Sequence, residues 1–298
     1  MTFSFYNPAV IPFEIKDDEK DKYLVFVNYP KEGRKEVAGF NARTIIQEIY
    51  NRYPPGSFDF INIFSDLPWY NKNGKAEHET VQNRIKDAGY SLSTSAYIYG
   101  DTGGRLLGIN FMNNLEILSN SITYSESEEE AACLIGHTLT HETTHQWAAY
   151  IGDNETKGTD MPLTSDDGTG VHYSYGLNIG YDPVGGGRWQ DNKDGTFTLL
   201  GPEEWCTPPK EGWENLRLGF PRMSDITLYL AGAIKKEEVG PMTWIDFNPA
   251  DVPDLWEGYT FRPKTVKTIT IEDIVKKYGE VRCVKEEVLP RTMYGNEH

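Results

Sequence analysis

The sequence predicts an α+β fold: a mixed sheet and one long helix in residues 1–152, then an irregular lobe, mostly loop and helix, in residues 153–298. Three observations carry that expectation. Up to position 112, apolar, β-branched and aromatic runs alternate with helical patterns. The stretch SESEEEAACLIGHTLTHETTHQWAAYIG (125–152) then reads as a single long helix. Beyond it, residues 153–222 are rich in Gly, Asp, Pro and Trp and hold few periodic runs, which sets the lobe boundary just after the helix.

Taken in order, YLVFVNY (23–29) is an apolar run of strand type. Asn41 opens a helix in which Ile45, Ile46, Ile49 and Tyr50 recur at helical spacing, and Pro54-Pro55 closes it. FDFINIF (58–64) is a second strand. ETVQNRIKDAGY (79–90) reads as a short helix ending near Gly89. TSAYIYG (94–100) and RLLGINFM (105–112) read as two more strands joined by the turn DTGG, and Gly108 inside the last suggests a bulge or a close backbone approach. The long helix has Ser127 and Glu130 as a capping box, glutamates at its positive end, and Gly152 as its C-cap. Downstream, GRWQDNKDGTFTLL (187–200) fits a hairpin around Asp194-Gly195, a better reading than a calcium loop because the closing glutamate is missing. SDITLYLAGAI (224–234) fits a short helix, and KTVKTITIEDIVKKYG (264–279) a strand and then a helix that stops at Gly279.

Charge narrows the partners. Lys plus Arg number 29 against 45 Asp plus Glu, a formal net charge of −16. Nucleic acid and anionic membrane both call for a basic surface, so neither is expected as a main partner. No run of eighteen apolar residues is present to span a bilayer, and the first twenty residues have no basic segment followed by a long apolar one. The three cysteines, Cys133, Cys206 and Cys283, stand far apart and form no CxxC pair, which argues against a thiolate metal cluster. Histidine is the informative residue: of six, four lie between positions 137 and 172.

Three of those four form a ladder in HTLTHETTHQW (137–147): His137, His141 and His145. Residues four apart share one face of a helix. Only His141 opens the pattern HExxH, as His141-Glu142-Thr143-Thr144-His145; His137 is followed by Thr138. In that pattern the two histidines grip one Zn²⁺, while the glutamate projects about 100° round the helix. Zinc lowers the pKa of a bound water toward about 7, and the glutamate takes its proton as it attacks a carbonyl, then returns it to the leaving amine.

The HETTH helix resembles the active-site helix of the zincin metallopeptidases. FDFINIFSD, QNRIKDAGYS, GGRLLGINFM, HETTHQW, VHYSYG, GGGRWQDNKDGTF and MSDITLYLAGAI resemble, more narrowly, a group of bacterial metallopeptidase-like proteins. The likeness runs as scattered motifs from about position 50 to 240. That group commonly has HELGH, HW and LYLMG where this chain has His141-Glu-Thr-Thr-His145, His172-Tyr173 and Leu228-Tyr-Leu-Ala-Gly232. The resemblance implies a zincin-like fold, a Zn²⁺ cofactor, endopeptidase activity on a protein or peptide substrate, and export from the cell. A zinc hydrolase of a non-protein amide or ester, and a metal-binding module without catalysis, stand as the alternatives.

A catalytic zinc takes three protein ligands and one open position. The metzincin extension needs Gly at 148 and His at 151; the chain has Ala148 and Ile151. His172 is the favoured third ligand, being the only histidine between the helix and the terminus, and the similar bacterial proteins carry a histidine in that segment. Asp153, Asp160, Asp166, Asp167 and Glu155 remain open alternatives. Tyr173, Tyr175 and Tyr229 are candidate oxyanion donors, with Tyr229 placed in a motif of the resemblance and set beside Glu142 as catalytic. Asp225 either orients a ligand histidine or serves as an N-terminal helix acid. Cys133 and His137 read as helix packing residues. RLLGINFM is expected to line the cleft and pair with an extended substrate, as the corresponding strand does in zincin-like enzymes.

Overall fold

In the computed structural model the described residues are 42–65, 76–83, 85–86, 99–114, 128–151, 163–164, 170–201, 222–247 and 258–283. The chain divides into two units, Met1–Phe40 and Asn41–His298, and every described residue belongs to the second. The expected strand at 23–29, most of the one at 94–100, Ser127 and Gly152 lie outside the described residues.

Helix α1 (Ala42–Arg52) buries Ile46 and Ile49 and ends just before Pro54-Pro55. Strands β1 (Phe60–Ser65), β2 (Glu77–Thr80) and, after the two-residue β3 (Ile85–Lys86), β4 (Gly108–Asn114) make a sheet of order β1–β4–β2. β4 runs parallel to β1 and antiparallel to β2. Residues 106–112 are buried without a break, the pattern of a strand covered on both faces.

Two expectations are corrected here. The described part of residues 79–90, positions 79–83 and 85–86, is not helical. Glu79 and Thr80 belong to β2, and the N–H groups of Val81 and Gln82 both donate to the Leu107 carbonyl, so pairing with the β4 segment overrides the local helical pattern. RLLGINFM does not offer an edge to substrate, because β4 is the middle strand and both its sides are paired. The outer strand on that side, among the described residues, is β2.

Helix α2 (Glu128–Thr144) ends before the expected Gly152. The hydroxyls of Thr140, Thr143 and Thr144 bond back to the carbonyls of Gly136, Leu139 and Thr140, which loosens the last turns. The chain then leaves the helix axis so that Ala148, Ala149 and Ile151 enter an apolar core, with the Ala149 N–H on the Val171 carbonyl.

The second half is richer in strands than its composition suggested, a further correction. Its described residues hold β5 (Tyr173–Asn178), β6 (Gly185–Gly187), β7 (Trp189–Asp191), β8 (Phe197–Leu199), helix α3 (Asp225–Leu230), β9 (Met242–Ile245), β10 (Thr260–Phe261), β11 (Val266–Ile269), helix α4 (Ile271–Tyr278) and β12 (Arg282–Cys283). A mixed sheet of order β11–β9–β5–β6 and an antiparallel sheet β10–β8–β7 result. The strands are short and interrupted by glycines, so period-2 alternation has little length in which to show. The expected hairpin is present as β7–β8, with Gly195 at φ +85°. The core of this half joins the end of α2 to Tyr173, Leu177, Ile226, Leu230, Ile269 and Ile274. The architecture is thus α+β, with mixed sheets and few helices among the described residues.

Candidate metal centre

Helix α2 brings His141 and His145 one turn apart, as their spacing requires, and the segment entering β5 brings His172 to them. His141 Nε2 lies 3.1 Å from His145 Nε2 and 3.2 Å from His172 Nε2. One ligand nitrogen from each ring falls within 4.8 Å of the other two. Two imidazole nitrogens in tetrahedral array around a zinc, each about 2.0–2.1 Å away, stand about 3.3 Å apart. The observed separations match that spacing.

The proton positions make the case stronger. His141 Nδ1 faces the Pro183 carbonyl at 2.7 Å, and His145 Nδ1 faces the Ala148 carbonyl at 3.2 Å. A carbonyl only accepts, so each Nδ1 carries the proton and each Nε2 presents a lone pair. The alternative is a proton shared between the two rings, which needs one of them charged. Burial opposes that: it pushes His141 down to about 4 and His145 well below the usual histidine range, with the neighbouring histidines adding to both shifts. Two neutral rings meeting lone pair to lone pair repel, and a cation between them removes the conflict. These three histidines can therefore hold a metal ion. Imidazole donors suit zinc, copper, iron and nickel.

Glu142, next to the first of these histidines, is buried. Burial and then the Glu77 charge raise its carboxyl to about 7, while a hydrogen bond from the His78 backbone N–H opposes the shift. The edge strand β2 thus meets the helix at this carboxylate.

The remaining sequence candidates are engaged by other partners, exposed, or outside the described residues. His137 is one turn upstream and not part of the cluster. Tyr229 lies in the apolar core, and its hydroxyl accepts the Val281 N–H at 3.0 Å. Tyr173 is fully buried with its hydroxyl on Thr227 Oγ1, and Tyr175 is exposed. Asp225 is an exposed acid in the first turn of α3, behind the N-cap Ser224. Asp153, Glu155, Asp160, Asp166 and Asp167 lie outside the described residues, as does the side chain of Cys133.

Sequence reading missed the groups that aim the rings. The Pro183 carbonyl is held by its neighbour Asp182, a buried carboxylate that accepts from Ser224 N at 2.7 Å, Ser224 Oγ at 2.8 Å and Val184 N at 3.1 Å. An Asp-Pro pair is a turn signal, and that was the only sign in the sequence. His78 was the other omission, set in a short polar stretch with nothing around it to mark it. Compared with known proteins, the chain matches no family model, no curated protein and no solved structure.

Proposed function

We propose that the chain is a zinc-dependent metallopeptidase of zincin type, in which His141, His145 and His172 hold the metal and Glu142 moves the proton. The observation that carries this reading is the meeting of proton-free Nε2 atoms from His141 and His145 beside a buried carboxylate one residue along the same helix. The donor set fits zinc: three imidazoles, with His141 at tetrahedral spacing from each of the other two and a fourth position left to solvent or substrate. Bound zinc supplies Lewis acidity, polarising a carbonyl and acidifying water. The remaining work falls to the chain. The Pro183 and Ala148 carbonyls keep the two ring protons on Nδ1. Glu142 takes a proton from the attacking water and gives it to the leaving nitrogen, the part for which a purely structural metal site has no use.

Metal analysis of the purified chain and of Glu142→Gln tests this. One zinc per chain is expected in both. Hydrolysis of a fluorogenic peptide library is expected to fall about 10²–10⁴-fold in the variant. Unchanged hydrolysis by zinc-loaded Glu142→Gln sinks the proton role. Turnover of small amides or esters without any peptide cleavage changes the substrate class.

A further inference from the structure

We propose that His78 is the positioning residue for Glu142: its side chain ties β2 to the end of α2 and so sets the helix turn that carries the Glu142 carboxylate against the edge strand. This rests on the reading of Glu142 as the proton carrier.

Glu142 and Gln146 stand four residues apart, Gln146 in the turn that closes α2, and the His78 ring meets Gln146. A hydrogen bond from the His78 backbone also draws the Glu142 carboxyl down against the effect of burial. Its ring Nε2 lies 3.1 Å from Gln146 Oε1, and its Nδ1 lies 2.6 Å from Asn110 Oδ1 on the middle strand β4. One residue therefore joins the edge strand, the middle strand and the helix.

The partners of the ring are themselves fixed. Gln146 Nε2 donates to the Gln82 carbonyl at 2.8 Å, which only accepts, so Oε1 must face His78. Asn110 Nδ2 donates to Asn62 Oδ1 and Thr143 Oγ1, both at 2.8 Å, and Thr143 Oγ1 donates onward to the Leu139 carbonyl at 2.7 Å. Asn110 and Gln146 are 0% and 1% exposed, so water does not offer them substitutes. Both ring nitrogens therefore face oxygen acceptors, so the neutral ring donates to one of them at a time, and the fully bonded amides on either side hold it between them. Gly108 forms the floor: a Cβ there would overlap His78 Cε1 and stand 2.9 Å from Gln146 Oε1. The glycine inside β4 is present because the ring passes over it, a close approach and not a bulge.

If His78 only packed, removing its ring would change stability and leave the proton step alone. As a positioning residue it gives a different signature. In zinc-loaded His78→Ala the metal content is expected to stay at one per chain. On a fluorogenic peptide cleaved by the wild type, kcat is expected to fall about 10²-fold with KM within about twofold. Wild-type kcat in that variant overturns the proposal. Should His78→Ala fail to fold, Gln146→Ala removes a single bond of the tie; a fall in kcat of about tenfold at constant KM supports the proposal, and an unchanged kcat overturns it. A second readout needs no turnover. The amide proton resonance of His78 is expected to shift on Glu142→Gln in the folded protein, and its indifference breaks the link. An amide that responds while the wild type cleaves no peptide supports the His78 link and overturns the proposed function instead.

Discussion

The candidate site has two walls of different composition. On the sheet side, α2 meets β2 and β4 through side-chain polar groups: His78, Asn110, Asn62, Thr143 and Gln146. On the other side, the chain leaving α2 enters an apolar core with Tyr173, Val184 and Ile226. The rings that face the metal position are aimed by backbone carbonyls, of Ala148 and Pro183, both held in that apolar side. Glu142 feels the polar side, where the Glu77 charge helps raise its carboxyl and the His78 backbone opposes that shift. On the proposed reading the difference teaches a division of labour: main-chain acceptors seated in a packed core set the tautomer and direction of the clustered histidines, while a side-chain network stands against the carboxylate proposed to move protons. The walls should then fail differently, the apolar one by losing metal and the polar one by losing turnover with metal in place.

The largest expected effect lies on the apolar side. His172→Ala removes one of three protein ligands. Roughly 10–16 kcal/mol of zinc binding shared over three ligands is about 3–5 kcal/mol each, a 10²–10⁴-fold loss of affinity. Competition with a chromogenic chelator measures it; undiminished affinity removes His172 from the ligand set. Asp182→Ala acts on the same wall one step further out. It leaves the Ser224 N–H, the Ser224 hydroxyl and the Val184 N–H without their carboxylate, which at about 1 kcal/mol or more each makes about 3 kcal/mol of stability lost to denaturant unfolding. Zinc affinity should also fall, by about tenfold, because the Pro183 carbonyl that holds His141 is no longer anchored.

How much of this was legible in the sequence follows the same division. His141 and His145 were readable because helical periodicity turns a spacing of four into proximity, and Glu142 follows the first of them directly in the chain. His172 was reached only by elimination and resemblance, since nothing local says that the segment entering β5 folds back against α2. Pro183 and Ala148 act through carbonyls, which every residue has, so no residue type could mark them. His78 was unreadable for another reason: its role depends on β2 pairing with β4 across about thirty residues, and the pattern just after it, 79–90, favoured a helix instead. The fold shows the same limit. Elements with a long periodic run, a clear cap or a turn signal, such as α1, α4 and the β7–β8 hairpin, were placed correctly; the short strands β5, β6, β9 and β10, defined by their partners, were not.

Gly108→Ala is the sharper test of the polar wall. The added methyl would press on the His78 ring and Gln146, and overpacking of this kind costs about 1–3 kcal/mol. Stability should fall by that amount while zinc affinity stays within about twofold, since no carbonyl that aims a ligand ring is touched. A drop in zinc affinity equal to that of Asp182→Ala would erase the distinction between the walls.

The smallest expected effect calibrates the apolar side away from the site. Helix α4 places Ile271 and Ile274 in the core and is started by Thr270, whose hydroxyl accepts the Asp273 N–H at 3.3 Å while the Asp273 carboxylate accepts the Thr270 N–H at 2.9 Å and its hydroxyl at 2.8 Å. Thr270→Ala should cost about 1 kcal/mol, a typical N-cap loss, and leave zinc affinity unchanged. The bonds from Thr270 hold the Asp273 carboxyl below the usual carboxylate range. A carboxyl lowered in the folded state adds stability above its unfolded pKa of about 3.9, and that contribution disappears as pH falls through the folded value. The gap between wild type and Thr270→Ala should accordingly narrow in acid, by less than 1 kcal/mol because the pair is exposed and screened. A gap that widens below about pH 4 would show that the cap does not act through the Asp273 carboxylate, and any change in zinc affinity would show that the apolar wall transmits strain further than its packing implies.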